Sequence, residues 1–333
     1  MKPVLFVTNH APPFRVGAFA ALHEREDVVF ALIGGDVRHG GGPGDAALPF
    51  PLVRPPQRSV ARLAASGRFR AVVAGLSGRT ALPAAYLGAR AARLPFVLWA
   101  TIWAHPRTPA HALSYLPLRH LYRHADAVAT YGPHVSAYVR AKGATKVFEA
   151  PQSVDDVFWA APSAPERRAR WQALFAGRAA PEKGLDVLER AWRQAALPDA
   201  ALVTASDEPP ERMRNFYAGS DVVVVPSVPA RDFLEPWGLV VNEAFDQGVP
   251  VIATDAVGAA AGGLVQHERT GLVVPAGDAG ALAAALRRLH GDPGLRERLG
   301  RGAREAVRAY SHTAWAEGMG AALRAAGDPG KPC

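Results

Sequence analysis

The amino-acid sequence predicts an α/β protein built from two doubly wound parallel-sheet domains, and three observations carry that prediction. Short β-branched runs alternate with longer helical patterns along most of the chain, the order expected of strands joined by crossover helices and covered on both faces. The alternation breaks between about Ala150 and Arg170, where three prolines and the adjacent Asp155 and Asp156 mark a linker. It then restarts and runs on, so a second sheet follows the first. At 333 residues and 49% hydrophobic, the chain can hold two domains of ordinary size.

In the first half, residues 2–9 read as a strand, 16–25 as a helix and 28–33 as a strand, an opening βαβ pattern. The loop after the first strand, His10-Ala-Pro-Pro-Phe14-Arg15, lies where α/β sheets place ligands, but it lacks G-x-G-x-x-G, which disfavours a dinucleotide dehydrogenase. Residues 34–48 are glycine-rich and read as an irregular loop. Strands follow at 50–54, 71–75, 96–101, 126–130 and 146–149, with helices at 58–67, 80–93, 110–124 and 133–142. The second half gives strand 172–177, helix 183–195, strand 201–206, helix 210–219, strand 221–226, helix 238–247, strands 250–254 and 271–274, and helix 278–290. The tail, 295–326, is mostly helix with a break near Tyr310-Ser311.

Composition bounds the setting. No apolar run reaches the ~18 residues of a membrane span, the opening residues read as a strand instead of a signal peptide, and the only cysteine is Cys333. The expected compartment is therefore a reducing cytoplasm. The net charge of +8 is uneven: residues 1–155 carry 18 Lys+Arg against 8 Asp+Glu, and residues 156–333 carry 20 against 22. No basic run with interleaved aromatics supports nucleic acid. An anionic lipid surface or an acidic acceptor suits the basic first half, with peripheral contact at the inner face of a membrane as the corresponding location.

The stretch from Phe233 to Asp255 concentrates the chemistry. It reads as loop, helix, tight turn and strand, with Glu235 just before the helix and Glu243 about one turn in. At ~100° per residue, Val240, Val241, Ala244 and Phe245 fall on a buried arc, and Asn242, Glu243, Asp246 and Gln247 on a polar one. A phosphate on the amides of the helix start would have a carboxylate on either side, each placed to accept from hydroxyls, the layout of a nucleotide sugar. The alternative from local chemistry is a glutamate favoured by the helix dipole plus a solvated one. Upstream, Gly177-Arg178 and Lys183-Gly184 follow a strand and open a helix, a fork and a point charge suited to a diphosphate, though not a P-loop. All four charged residues would line one edge of the second sheet.

Other constellations are weaker. His120 and His124 at i, i+4 lack a third ligand for zinc, and no metal is expected. Thr101 and His105 follow the strand at 96–101, where either could meet a sugar hydroxyl. Trp103 and Phe14 could stack on a sugar, while Trp99 reads as core. No nucleophilic triad can be traced.

These residues resemble glycosyltransferase family 4, retaining enzymes of the two-domain GT-B fold. The resemblance rests on Glu235 and Glu243 separated by seven residues with Pro-Trp-Gly-Leu between, on Gly248-Val-Pro250 through Asp255, on Thr270 to Asp278, on the Gly177-Arg178 and Lys183-Gly184 loop, and on Tyr217 to Asp221 with Pro226-Ser227. It is specific over residues 172–315 and weak before 150. It implies domains at 1–155 (acceptor), 156–310 (nucleotide-sugar donor) and 311–333, a terminal helix packing back on the first domain. It further implies that Glu235 binds the donor sugar, Glu243 the ribose, and Arg178 and Lys183 the diphosphate, assisted by Gly177 and by backbone at Gly238, Leu239 and Val240. Phe14, Arg15, Thr101 and His105 are the acceptor or sugar contacts that follow. No cofactor and no metal are implied, the nucleotide sugar being a substrate.

The chain departs from the pattern at three places. Thr101 stands where a histidine is usual, Gln152-Ser153-Val154-Asp155 replaces Asn-Gly-Val-Asp, and about one strand–helix unit is missing between Ser206 and Met213, a shortened second domain. The expected activity is sugar transfer from a nucleotide-diphosphate sugar to a glycan, lipid-linked or small-molecule acceptor. A nucleotide-sugar epimerase of the same fold and a non-catalytic nucleotide-sugar binding subunit are the alternatives.

Overall fold

The structure is a computed structural model and describes residues 2–34, 48–76, 78 and 80–328. The glycine-rich loop expected over 34–48 lies almost wholly outside the described residues, as does Cys333. The chain divides into two compact units: Met1–His105 with Pro109–Ser153 and His312–Cys333, and Pro106–Thr108 with Val154–Ser311.

The first unit carries seven strands, β1 (Val4–Thr8), β2 (Val28–Leu32), β3 (Leu52–Val53), β4 (Ala71–Gly75), β5 (Phe96–Ala100), β6 (Ala127–Thr130) and β7 (Val147–Glu149). They pair in the order β3-β2-β1-β4-β5-β6-β7, and every pair is parallel. Helices α1 (Pro13–Glu26), α2 (Val60–Ala64), α3 (Ala81–Ala91), α4 (Pro109–His124) and α5 (Pro133–Ala141) make the crossovers. The expected helix at 58–67 is a 3₁₀ turn, Gln57–Ser59, running into the five residues of α2.

The second unit has α6 (Asp156–Ala160), β8 (Trp171–Ala176), α7 (Leu185–Ala195), β9 (Ala200–Ala205), α8 (Pro210–Ala218), β10 (Val222–Val225), α9 (Val240–Asp246), β11 (Val251–Thr254), α10 (Gly258–Ala261), β12 (Gly271–Val274), α11 (Ala279–Gly291) and α12 (Pro293–Val307). Its five parallel strands run β12-β11-β10-β8-β9. From β9 the chain passes through α8 directly to β10, and among the described residues β9 stays at the sheet edge. Both units are thus Rossmann-like, as the alternation predicts. Two short helices escaped the sequence reading: α6, inside the expected linker and capped by Asp155 accepting from the Phe158 amide at 3.0 Å, and α10.

Helix α13 (His312–Gly327) closes the chain within the first unit and packs on α1, β6 and β7. Glycine permits the approach: a Cβ at Gly17 would lie 2.2 Å from His312 Nδ1, and one at Gly318 would lie 2.1 Å from the Glu149 carbonyl oxygen. Trp315 then joins Phe6, Phe19 and Trp99 in one aromatic cluster, with ring centroids 5.7 to 6.3 Å from its own. Such rings bury large apolar areas and prefer the tilted and edge contacts seen here. Trp99 is core, as its sequence context suggests.

One expectation about the second unit fails. Asn242 and Asp246, placed on a polar outer arc, are both buried. Helix α9 is covered on that side by α6 and α12, and Asn242 accepts a hydrogen bond from the buried Trp237 indole at 2.7 Å. The helix is also shorter than the expected 238–247, because Gly238 sits at φ +92° and cannot be its first turn.

Candidate active site

The carboxyl ends of β8 and β10 bring Lys183 and Glu235 together. After β8 the chain makes a 3₁₀ turn, Pro181–Lys183, and leaves it through Gly184 at φ +69°. A Cβ at Gly184 would stand 2.0 Å from the Pro226 carbonyl oxygen, so glycine is what lets this loop close over the end of β10. The Val228 amide donates to the Glu182 carbonyl at 3.0 Å and fastens the two loops. Lys183 Nζ then donates to Glu235 Oε2, and Ser227 Oγ donates to the same oxygen at 3.2 Å. Glu235 is 7% exposed.

The loop carrying Glu235 is held from behind. Gly258 N donates to the Glu235 carbonyl at 3.0 Å and Ala259 N to the Trp237 carbonyl at 2.8 Å, while a Cβ at Gly258 would lie 2.0 Å from the Pro236 carbonyl oxygen. The start of α10 thereby fixes the backbone on which the carboxylate is presented.

Glu243 sits in the first turn of α9, half-buried, and accepts from the Tyr217 hydroxyl at 2.5 Å. Burial pushes its carboxyl up to about 7, with the tyrosine hydrogen bond opposing. The Tyr217 phenol is itself pushed well above its ordinary value by burial and then by the neighbouring carboxylate. One turn on, Asp246 also rises to about 7, by burial first and then by repulsion from Asp156, Glu243 and Asp155. Its Oδ2 is buried without a hydrogen-bond partner. A protein retains such unfavourable carboxylates most readily where they serve a ligand.

Of the remaining second-unit residues, Arg178 follows Gly177 (φ +150°) and lies half exposed, 3.9 Å from Glu182 in its own loop. Gly238 and Leu239 precede α9 and Val240 begins it. In the first unit, the residues expected to touch sugar or acceptor do not form one cluster of contacts. Arg15 is 3% exposed, its guanidinium donating to the Tyr131 hydroxyl at 2.7 Å and to Gln152 Oε1 inside a cage of Phe14, Trp99, Tyr131 and Trp315. Burial lowers its pKa. His105 turns to the start of α4, its Nε2 donating to the His111 carbonyl at 2.6 Å, and Thr101 follows the end of β5, half-buried. The His120 and His124 rings stack at 4.1 Å. Among the described residues no group of three His, Cys, Asp or Glu side chains could hold a metal ion.

Tyr217, Ser227 and Asp246 have site contacts that spacing did not single out. Tyr217 and Ser227 fall inside the segments that carry the family resemblance, which was the available signal. For Asp246 there was none, because only the fold of α6 onto α9 exposes its neighbours.

The chain thus carries two Rossmann-like units, each a parallel sheet flanked by helices, the fold class of the GT-B glycosyltransferases it is similar to. Residues 146–306, the span in which the carboxylates and Lys183 lie, match the family model of the group 1 glycosyl transferases. The lipopolysaccharide core biosynthesis glycosyltransferase LpsD of Rhizobium meliloti is 30% identical over 185 residues, 55% of this chain and 45% of that protein. A D-inositol 3-phosphate glycosyltransferase of Acidothermus cellulolyticus is 40% identical over 106 residues, 31% of this chain and 21% of that one. The chain thus spans less than half the length of these curated relatives. Among solved structures, Anabaena HepE in complex with UDP and glucose superposes with a TM-score of 0.73 at 16% identity, covering 97% of this chain and all of that one. Sucrose-phosphate synthase from Thermosynechococcus elongatus does so with a TM-score of 0.73 at 18% identity, covering 97% and 98%. No helix among the described residues is long and apolar enough to cross a membrane.

Proposed function

We propose that this protein is a retaining glycosyltransferase of family 4 that takes its sugar from a nucleotide-diphosphate sugar. The observation that carries the reading is the half-buried Lys183 paired with the buried Glu235, with Ser227 beside them, at the carboxyl ends of β8 and β10, the edge at which parallel α/β sheets bind ligands. A diphosphate arriving there gives Lys183 a better counter-charge and releases Glu235 to accept from the hydroxyls of the donor sugar. Arg178, half exposed and paired with Glu182 of its own loop at 3.9 Å, adds a planar fork to the same phosphates. Glu243 takes the ribose hydroxyls, which return to it the hydrogen bonds that burial has denied.

In this reaction the bond between the anomeric carbon and the phosphate oxygen breaks and the acceptor oxygen bonds to the same face of that carbon. The acceptor's proton passes to the departing phosphate oxygen. Charge builds on the leaving diphosphate, so Lys183 and Arg178 act where a preorganised cation lowers the barrier most. These side chains supply the positive charge, and the reading is metal-independent. Phe14, Arg15, Thr101 and His105 put the acceptor side on the first unit, with Arg15 acting from within its aromatic cage to position its neighbours.

That both UDP and UDP-glucose complexes exist for a protein of this fold supports the donor class. The test is donor turnover, with an acceptor pool present, by Glu235→Ala and Lys183→Ala. Each variant should lose turnover by at least about a hundredfold, the scale of removing one electrostatic stabiliser. Unchanged turnover in both would overturn the assignment. Consumption of donor without acceptor, giving an isomeric nucleotide sugar, would favour an epimerase.

A further inference from the structure

Helix α4 is left uncovered where it most needs a partner. From Pro109 to Pro117, leaving Ala110 aside, no residue is buried and only Tyr115 is half-buried. Leu113 is 83% exposed and Leu116 is 69% exposed. Burial resumes only at Leu121 and Tyr122. Pro117 lies inside the helix and removes one of its backbone hydrogen bonds. A helix of this length is marginal in water unless a packed face holds it, so the first half of α4 has a surface waiting to be covered.

Charge identifies what covers it. Between residues 46 and 148 the sequence has 14 Arg+Lys and a single acidic residue, Asp126. That aspartate is already engaged, 2.8 Å from Arg90 and accepting from the Phe96 amide at 2.7 Å. On α4 itself there is no acid. At ~100° per residue, Leu113, Leu116, His120, Arg123 and His124 fall within roughly 100° of arc, with Arg119 about 40° beyond its edge. The outward face is therefore apolar in its first turns and cationic in its last, with Leu113 and Arg123 separated by about 15 Å along the axis. On the neighbouring α3, Leu87 is 63% exposed and follows Tyr86, whose hydroxyl lies 3.4 Å from His120 Nε2.

We propose that this face docks on an anionic lipid bilayer. Leu113, Leu116 and Leu87 enter the boundary between headgroups and acyl chains, where interfacial helices bury their apolar side ~5–10 Å deep. Arg119 and Arg123 stay at the level of the lipid phosphates. A nucleic acid would engage the arginines but leave three leucines in water, and an acidic protein surface would do the same. The inference rests on α4 and its surroundings and stands whether or not the chain transfers sugar.

The test is co-sedimentation of the full chain with vesicles of phosphatidylcholine alone and of phosphatidylcholine mixed with phosphatidylglycerol. The chain should pellet with the mixed vesicles and stay in solution with the neutral ones. Arg119→Gln with Arg123→Gln should weaken partitioning roughly 30-fold, the loss of two basic residues at an anionic surface. Leu113→Ser with Leu116→Ser should weaken it about tenfold or more while the chain keeps its thermal midpoint, since neither leucine is buried. A second readout is independent of those substitutions: in a Cys333→Ser background, an environment-sensitive fluorophore on Leu116→Cys should shift to the blue on mixed vesicles. A wild-type chain that stays in solution with both vesicles overturns the proposal. So do leucine variants that bind as well as wild type, a fluorophore that does not shift, or a preference for polyuridylate RNA over mixed vesicles.

Discussion

Replacing Glu243 with glutamine separates the stability of this fold from its proposed use. The glutamate carboxyl stands at about 7 against an ordinary 4.5 because burial disfavours its charge. The folded state therefore holds this proton more tightly than the unfolded chain does. Below the ordinary value both states are protonated and the site costs nothing. As pH rises from about 4.5 to about 7, only the unfolded chain releases the proton, and stability falls. Above about 7 the cost is complete, and at 1.36 kcal/mol per unit the shift corresponds to roughly 3 kcal/mol. Glutamine carries no charge, can still accept from Tyr217, and removes one of the charges that raise Asp246. In urea titrations, Glu243→Gln should match wild type near about pH 4.5 and exceed it by ~2–3 kcal/mol above about pH 7.5. Nucleoside diphosphate affinity should fall in the same variant, since a neutral oxygen is a weaker acceptor for ribose hydroxyls than a carboxylate. A stability difference that does not change with pH, or a variant weaker than wild type at high pH, would refute the reasoning.

Two further outcomes follow from the same geometry. Lys183→Met leaves Glu235 buried with its main counter-charge gone and should cost about 3–5 kcal/mol, whereas combining it with Glu235→Gln should cost clearly less than the sum of the two single changes; additive losses in a urea double-mutant cycle would dismiss the pair as an energetic unit. Gly258→Ala drives a Cβ to 2.0 Å from the Pro236 carbonyl and should depress both the thermal midpoint and donor turnover. Gly263→Ala meets no atom within 4 Å and should cost only about 1 kcal/mol for its positive φ, leaving turnover intact; equal effects would place the Glu235 loop beyond the influence of α10.

The sheets were legible because each strand is a run such as Val4–Thr8 or Val222–Val225 whose composition leaves few alternatives, and because helices between them keep their period. Lys183 was legible as a candidate because it stands beside Gly184 in the loop after a strand, and Glu235 and Glu243 because they bracket the start of one helix, where unpaired amides suit an anion. What spacing could not deliver was the partner of each. Glu235 meets Lys183 across 52 positions of sequence only because Gly184 admits the Pro226 carbonyl. The burial of Asn242 and Asp246 depended on α6, five residues inside what reads as a linker, and a helical wheel carries no knowledge of a neighbour that short. The enclosure of Arg15 was out of reach for a related reason: apart from the adjacent Phe14, the aromatic residues around it come from β5, the end of β6 and α13, up to 300 positions away.

The most direct measurement is calorimetric titration of the wild-type chain with UDP, GDP, ADP and dTDP. One of the four should bind, and Lys183→Ala and Glu243→Gln should each weaken that binding by at least about tenfold, or roughly 1.4 kcal/mol. Absence of binding by all four, or equal binding by both variants, would contradict a donor site at the carboxyl edge of the second sheet.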